Sequence, residues 1–520
     1  MAEIAEAAAP YEMGPGEYEK MEDQFKAVVS KLMMLAADWE QRKYQTERRW
    51  LDDLRRYHGY HDAETASKLQ RLQQSARSYR ADVIVNVTRP KTNAMSARLM
   101  DMLFPTDEKC WGILPTPVPE LEESAEQAAN REREMRRMKA EEMRKQAAAG
   151  EEGEPEMGEA FDEEYSTVAK AVNHFKAIKT EAQARARAME SEIDDQLVES
   201  RFQSQARDMI DDGCRIGSGI IEAPVTSGRS RSGWSQVEGE KNVFRLKFER
   251  NAKAGVRRID PWSFFPDPDA RTIEEAQGAF IRNIETKRSL RALAKIEGVN
   301  RGAIRRLIQK GPGFSAPPYL AELRAITGDN RTPITNRYCV WRYVGALDRE
   351  DLEIMSEYRG DSEMQSIMDE MDDLDEINVV ILFCDGEVLS VELHPLDSGE
   401  PLFSIFCPEK DEASVWGYGV PHMIRSEQRI INAAWRAMMD NAGVAAGPQV
   451  VRSSKAKTED GTNELRPWQV WVYDDEDPVQ RSQQRKPVET LLIDMNQEQL
   501  AAIIMLAREH IDEVTSIPRL

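Results

Sequence analysis

Along the first part of the chain, apolar residues recur at intervals of three and four. From Met21 to Tyr60 the stripe is Phe25, Val28, Val29, Leu32, Met33, Leu35 and Ala36, the period of an amphipathic helix. Residues 1–20 are small, acidic and punctuated by Pro and Gly, so they read as a disordered tail. A second helical stretch runs from His61 to Ser78, followed by a short strand, Val83 to Val87. The next helix begins near Pro90, carries Met95, Leu99, Met102 and Leu103 on one side, and stops at Phe104-Pro105. Residues 119–205 are dense in Glu, Arg, Lys and Ala. The breaker Gly150-Glu151-Glu152-Gly153-Glu154-Pro155 divides them into two long helices, held in solvent by charge pairs four residues apart.

The pattern then turns β-like from Gly219 to Ile259, with Thr226 to Gly233 as a polar loop. A helix-rich piece covers Thr286 to Ala325. Strands return at Tyr338 to Val344, Asn378 to Cys384, Glu387 to Leu393 and Leu402 to Cys407. Asp385-Gly386 between the middle two is a tight-hairpin signal. The acidic stretch Asp361 to Glu376 reads as a loop or helical insertion. The fold class expected is α+β, helix-dominated, with β-rich parts at 219–265 and 338–407.

Near the C-terminal end, Gly417 and Gly419 allow a sharp turn, and Pro421 suits a first helical turn. Met423, Ile424, Ile431, Ala434, Trp435, Met438 and Met439 share one helical face, and Arg425, Glu427, Arg429, Arg436 and Asp440 lie away from its centre. Beyond Pro448 come strand-like pieces, Gln449 to Arg452 and Trp468 to Tyr473, around a polar loop. A last helix begins at Asn496, with Gln499 completing a capping box and Leu500, Ile503, Ile504, Ala507, Ile511 and Val514 on its apolar face.

Size and composition bound the function. A chain of 520 residues exceeds one compact core and calls for roughly two to four domains. Its longest apolar run, Val379 to Phe383, is a buried strand and far short of the roughly 20 residues of a membrane span. The N-terminus has no basic region or apolar signal core, which points to synthesis and use in the cytoplasm. Five scattered cysteines, none in a Cys-x-x-Cys pair, read as small buried apolar residues, not a disulfide framework or zinc site. The formal charge of −22 argues against a protein that grips DNA by neutralising phosphates.

Catalytic chemistry is not spelled out. There is no Gly-x-x-x-x-Gly-Lys loop, Gly-x-Ser-x-Gly elbow or His-Glu-x-x-His. His58 and His61 could face one metal, but no third ligand is evident. Asp267-Pro268-Asp269 could hold a divalent cation in a nuclease-like site, yet Asp-Pro is also ordinary turn chemistry. The acids Asp369, Asp372, Asp373 and Asp375 lack the glycine and spacing of a calcium loop. The expectation is therefore no enzyme, no cofactor and no metal.

Four segments, in order, resemble the portal, or head-to-tail connector, proteins of short-tailed bacteriophages: Thr88 to Trp111, Asp260 to Ala270 with Glu275-Ala276, Trp416 to Asn441, and Glu509 to Arg519. The resemblance spans residues 20 to 520. It implies a portal fold with a wing at 21–415, a stem helix at 416–446 and a clip at 447–520. On that pattern Met423, Ile424, Ile431, Trp435, Met438 and Met439 pack the stem and its subunits, and Trp468, Trp471 and Tyr473 anchor the clip interface. The family's second stem helix, tunnel loop and crown are expected to be absent from this chain, which stops at Leu520. The resemblance further implies a homo-oligomeric ring, usually of twelve subunits, at one capsid vertex of the virion. Double-stranded DNA passes through it. It docks the terminase large subunit, then head-tail adaptor and tail proteins, and it contacts major capsid and scaffolding proteins without a membrane. A scaffolding or adaptor protein is the alternative, built on residues 119–205.

Overall fold

The computed structural model describes residues 15–75, 81–105, 109, 111–115, 119–149, 159–236, 244–296, 298–329, 336–359, 376–396, 399–447, 449–452, 457–458, 471–472, 488–491 and 493–518. The fold is α+β and helix-rich, with antiparallel sheets. The elements begin with α1 (Pro15–His58), α2 (Ala63–Ser75), α3 (Thr88–Leu103), α4 (Pro119–Ala149), α5 (Glu159–Glu199) and α6 (Phe202–Ile216). Strands β1 (Gly219–Gln236), β2 (Phe244–Ile259), β3 (Phe264–Pro266) and β4 (Gly278–Glu285) follow, then α7 (Lys287–Leu293), α8 (Arg301–Lys310) and α9 (Pro318–Thr327). Next come β5 (Tyr338–Asp348), α10 (Arg349–Arg359), β6 (Glu376–Cys384), β7 (Glu387–Leu393) and β8 (Phe403–Phe406). An outgoing helix (Arg425–Ala445), four short strands and a return helix (Gln497–Thr515) complete the described chain.

Two compact units divide these elements: Met1–Leu99 with Arg207–Glu222 and Arg258–Leu520, and Met100–Ala206 with Ala223–Arg257. In the second unit α4 and α5 pack on each other, as the breaker between them predicts. Their surfaces carry pairs four residues apart, Glu132–Arg136 and Glu181–Arg185. Such surface pairs are screened by solvent and contribute little to stability.

The first unit is organised on a five-stranded antiparallel sheet in the order β3-β4-β5-β6-β7. Side chains alternate across it. Phe280, Tyr343, Val379, Ile381 and Phe383 face α1, where Phe25, Val28, Val29, Leu32, Ala36 and Trp39 close over them. The opposite face includes Val340, Cys384 and Leu389 against Leu290, Ile304 and Leu307 of α7 and α8. Burying each such side chain stabilises by about 1.5–3 kcal/mol. The turn between β6 and β7 is the hairpin expected: Asp385 and Gly386 both have positive φ, 52° and 90°, as a type I′ turn requires.

Asp260-Pro261-Trp262-Ser263-Phe264-Phe265 forms one helical turn and β3, with Asp260 accepting from the Trp262 N–H. Phe264 and Phe265 are fully buried. Lys43 of α1 reaches into this turn and donates to the carbonyls of Pro261 and Phe264 at 2.6 and 2.7 Å. Burial pushes its pKa down to about 7, against the pull of Glu47.

Several expectations need correction. Helix α1 starts at Pro15, six residues before Met21, because Pro suits a first turn. The polar run Thr226 to Gly233 lies inside β1, since ladder pairing with β2 satisfies its backbone whatever its turn propensity. The buried residues of α3 are Thr88, Thr92 and Ser96, while Met102 and Leu103 of the apolar stripe are exposed. Residues 83–87 are extended but belong to no sheet. The helix expected from Pro421 is broken at Ile424, whose ψ of 15° separates the turn Val420–Met423 from the outgoing helix.

Candidate functional site: a two-helix hairpin with a strand tip

The outgoing helix leaves the first unit from an aromatic-glycine turn. The approach of backbones there is close: a Cβ on Gly417 would lie 2.4 Å from the Glu409 carbonyl oxygen, and one on Gly419 2.8 Å from the Gly217 nitrogen. Only glycine fits such contacts. Arg49 of α1 donates to the Gly417 carbonyl at 2.9 Å and lies over the Tyr418 ring, which stacks on His422.

The return helix runs antiparallel along the outgoing one. At one end His510 Nδ1 lies 3.0 Å from Glu427 Oε1. At the other, Asn441 donates to the Asp494 carbonyl and accepts the Asn496 N–H, both at 3.3 Å. Between these ends Ile424, Ile431 and Ala434 close on Ile504, Ala507 and Ile511. The strands Gln449–Arg452 and Val488–Leu491 pair antiparallel at the tip. Asn496 makes no side-chain cap, so the capping box with Gln499 does not form; its N–H is taken by Asn441 instead.

One side of this hairpin rests on residues 81–98. The extended segment 81–87 finds its hydrogen bonds not in a strand but in side chains of the outgoing helix. Val87 N–H donates to Gln428 Oε1 at 3.0 Å, Val85 N–H to Asn432 Oδ1 at 3.0 Å, and Ala81 N–H to Asp440 Oδ1 at 2.8 Å. Gln428 donates back to the Val85 carbonyl at 2.6 Å. The spacing explains the match. Four helical residues rise about 6.0 Å and two extended residues about 6.6 Å, so side chains four apart on the helix meet alternate amides of an antiparallel extended chain. On the return helix, Asp512 takes Lys91, and the Ser516 carbonyl takes Arg98.

The side turned away from residues 81–98 is different. Helical spacing places Ile430, Ala437 and Val444 there from the outgoing helix, and Ile503, Leu506 and Val514 from the return helix. All six are exposed, Leu506 at 66%. Exposed apolar side chains thus recur along this side of both helices.

The structure places the sequence-predicted residues as follows. Ile424 and Ile431 are buried and Met423, Trp435 and Met438 half-buried, all in the intrachain core against the return helix or residues 85–95; Met439 is exposed. Trp471 opens the two-residue strand Trp471–Val472, paired with Lys457–Thr458. Trp468 and Tyr473 lie outside the described residues. Asp267 accepts the N–H groups of Asp269 and Gln277, and Asp269 is bound by Arg42 at 3.0 Å, so both carboxylates serve the turn and its anchor on α1. His61 binds Asp82 at 2.9 Å, whereas burial and the nearby Arg89 and Arg215 lower the pKa of His58. Cys214 and Cys384 are buried and Cys339 and Cys407 half-buried; Cys110, Asp369, Asp372, Asp373 and Asp375 lie outside the described residues.

Sequence reasoning missed the amide ladder. Its signal was present: Gln428, Asn432 and Asp440 share one helical register, opposite a short extended run whose edges need partners. Comparison with protein-family models finds none that matches this chain, and comparison with curated proteins finds no match. Among the described residues no helix is long and apolar enough to cross a membrane.

Proposed function

We propose that this chain is a ring-forming structural subunit of the phage portal kind, a conduit for double-stranded DNA at one capsid vertex, and not an enzyme. The observation that carries the reading is the hairpin: two antiparallel helices with one side covered by the chain itself and the other apolar and open. In a ring, each hairpin's open side faces its neighbour, and the burial left undone within one chain is completed between copies. The outgoing helix is then the first stem helix and the paired tip belongs to the clip. The return helix takes the place of the second stem helix. This revises the expectation from sequence, which placed residues 496–514 in the clip and the second stem helix outside the chain.

Charge supports the same reading. With a net charge of −22, a wall made of this protein repels phosphate and lets a duplex slide without sticking. The partners of such a ring are a terminase motor, then head-tail adaptor and tail proteins, with capsid and scaffolding proteins around it. Electron microscopy of the purified chain, with sedimentation velocity alongside, tests the proposal. End-on views should show a ring with a central hole. A monomer that persists at high concentration, or a closed particle without a hole, overturns it.

A further inference from the structure

Behind the outgoing helix lies a cleft that the proposed assembly does not use. It has a volume of about 190 Å³ and is bounded by the end of α1, residues 60–65, Ile84, Asn86 and the polar stripe of the outgoing helix. Four arginines line it: Arg56, Arg425, Arg429 and Arg436. In an acidic protein this concentration of guanidinium groups is a local reversal of charge.

The carboxylates nearby account for only half of them. Arg56 binds Asp53 at 2.8 Å, and Arg429 binds Asp62 with Glu64 at 3.5 Å. Burial pushes Asp62 up, but the Thr65 hydroxyl, Arg429 and Arg56 outweigh it and hold the carboxyl below its ordinary value, so this ion pair is intact at neutral pH. Among the described residues, Arg425 meets only an imidazole nitrogen, His422 Nε2, at 2.7 Å. Arg436 holds a buried Nη1 with no hydrogen-bond partner among the described residues. A buried donor left unpaired is unfavourable, and that cost is recovered when an acceptor enters. The His61 imidazole and the Asn86 amide border the same space and supply neutral polar contacts.

We propose that this cleft binds a phosphate group, with Arg425 and Arg436 as its charged donors and Arg429 held in place by Asp62. Guanidinium forks match the paired oxygens of a phosphate. The space is several times the roughly 30 Å³ share of one water, enough for a tetrahedral oxyanion and not for an extended chain of nucleotides. The phosphate can be free or can belong to a nucleic-acid backbone, and the test separates the two.

The full-length protein is titrated by calorimetry with inorganic phosphate at constant ionic strength in chloride. Saturable binding at one site per chain is expected, weakened by about tenfold or more in both Arg436→Gln and Arg425→Gln. Arg425 is exposed, so its variant reports even where Arg436→Gln perturbs folding. Displacement of phosphate by a short oligothymidylate assigns the site to a nucleic-acid backbone; failure to displace assigns it to a small phosphate. No saturable heat in the wild type, or wild-type affinity in Arg425→Gln, overturns the proposal.

Discussion

The sheet beneath α1 and the helical hairpin are both built from apolar stripes, yet they end in opposite states. In the sheet, Phe280, Tyr343 and Phe383 meet Trp39, Leu32 and Val28 within one chain, and the layer is closed. In the hairpin, Ile431 and Ile511 meet in the same way, but a second set of apolar side chains faces outward from both helices. A stripe at intervals of three and four says that a face is to be buried; it does not say by what. Closure within the chain marks the framework. The unclosed face stays exposed within one chain.

The largest expected effect is in the framework. Phe280→Ala removes a fully buried ring that contacts Trp39, Trp341, Tyr343 and Phe383, and should cost about 3–5 kcal/mol, read from chemical denaturation. Gln428→Ala comes next. It strips partners from the Val87 N–H and the Val85 carbonyl, at about 1–3 kcal/mol for a buried group so exposed. Its signature is local: amide exchange at Val85 and Val87 should accelerate while the β5 and β6 amides keep their protection. Equal acceleration in both regions would dissolve the contrast, because the hairpin and the sheet would then be one cooperative unit.

How legible these regions were follows the same line. Helix α1, the α4–α5 pair and the Asp385-Gly386 turn declare themselves locally, through period, breaker and φ-permissive residues. The return helix was visible as an element, but its antiparallel seat on the outgoing helix was not, because Ile504, Ala507 and Ile511 specify burial and no partner. Residues 83–87 look like a strand from Val and Ile content. Their hydrogen bonds went to Gln428 and Asn432, some 340 residues away, a pairing no local window contains. Strand β1 misled in the other direction. Its Ser-Gly-Arg run has turn chemistry, and ladder pairing overrode it.

A smaller effect sharpens the contrast through pH. Lys43 is buried between α1 and the Pro261–Phe264 turn, and its pKa falls from 10.5 to about 7 in the folded protein. Above pH 7 the folded chain has released this proton while the unfolded chain still holds it up to about 10.5. Stability therefore rises with pH across that window, by at most about 1.4 kcal/mol per unit. Lys43→Met should flatten the slope between pH 7.5 and 9 relative to wild type. An unchanged slope would mean that Lys43 keeps its proton on folding and that the framework tolerates a buried charge beside Trp50, Phe265 and Trp416.

The smallest expected change in stability carries the most information about the open face. Leu506 is 66% exposed on the return helix, at the side away from residues 81–98. Leu506→Asp removes no intrachain contact of the hairpin core, so denaturation of the monomer should shift by no more than about 0.5 kcal/mol. If the open side meets a neighbouring copy, the same substitution buries a carboxylate in an apolar seam, which costs far more than the monomer loses. Assembly should then fail in sedimentation while the far-ultraviolet circular dichroism stays that of the wild type. Met505→Asp, on the same helix but off that face, serves as the control and should assemble normally. Rings formed by Leu506→Asp with wild-type stability would place the seam elsewhere. The hairpin would then be a closed element like the sheet, its outward apolar residues ordinary surface.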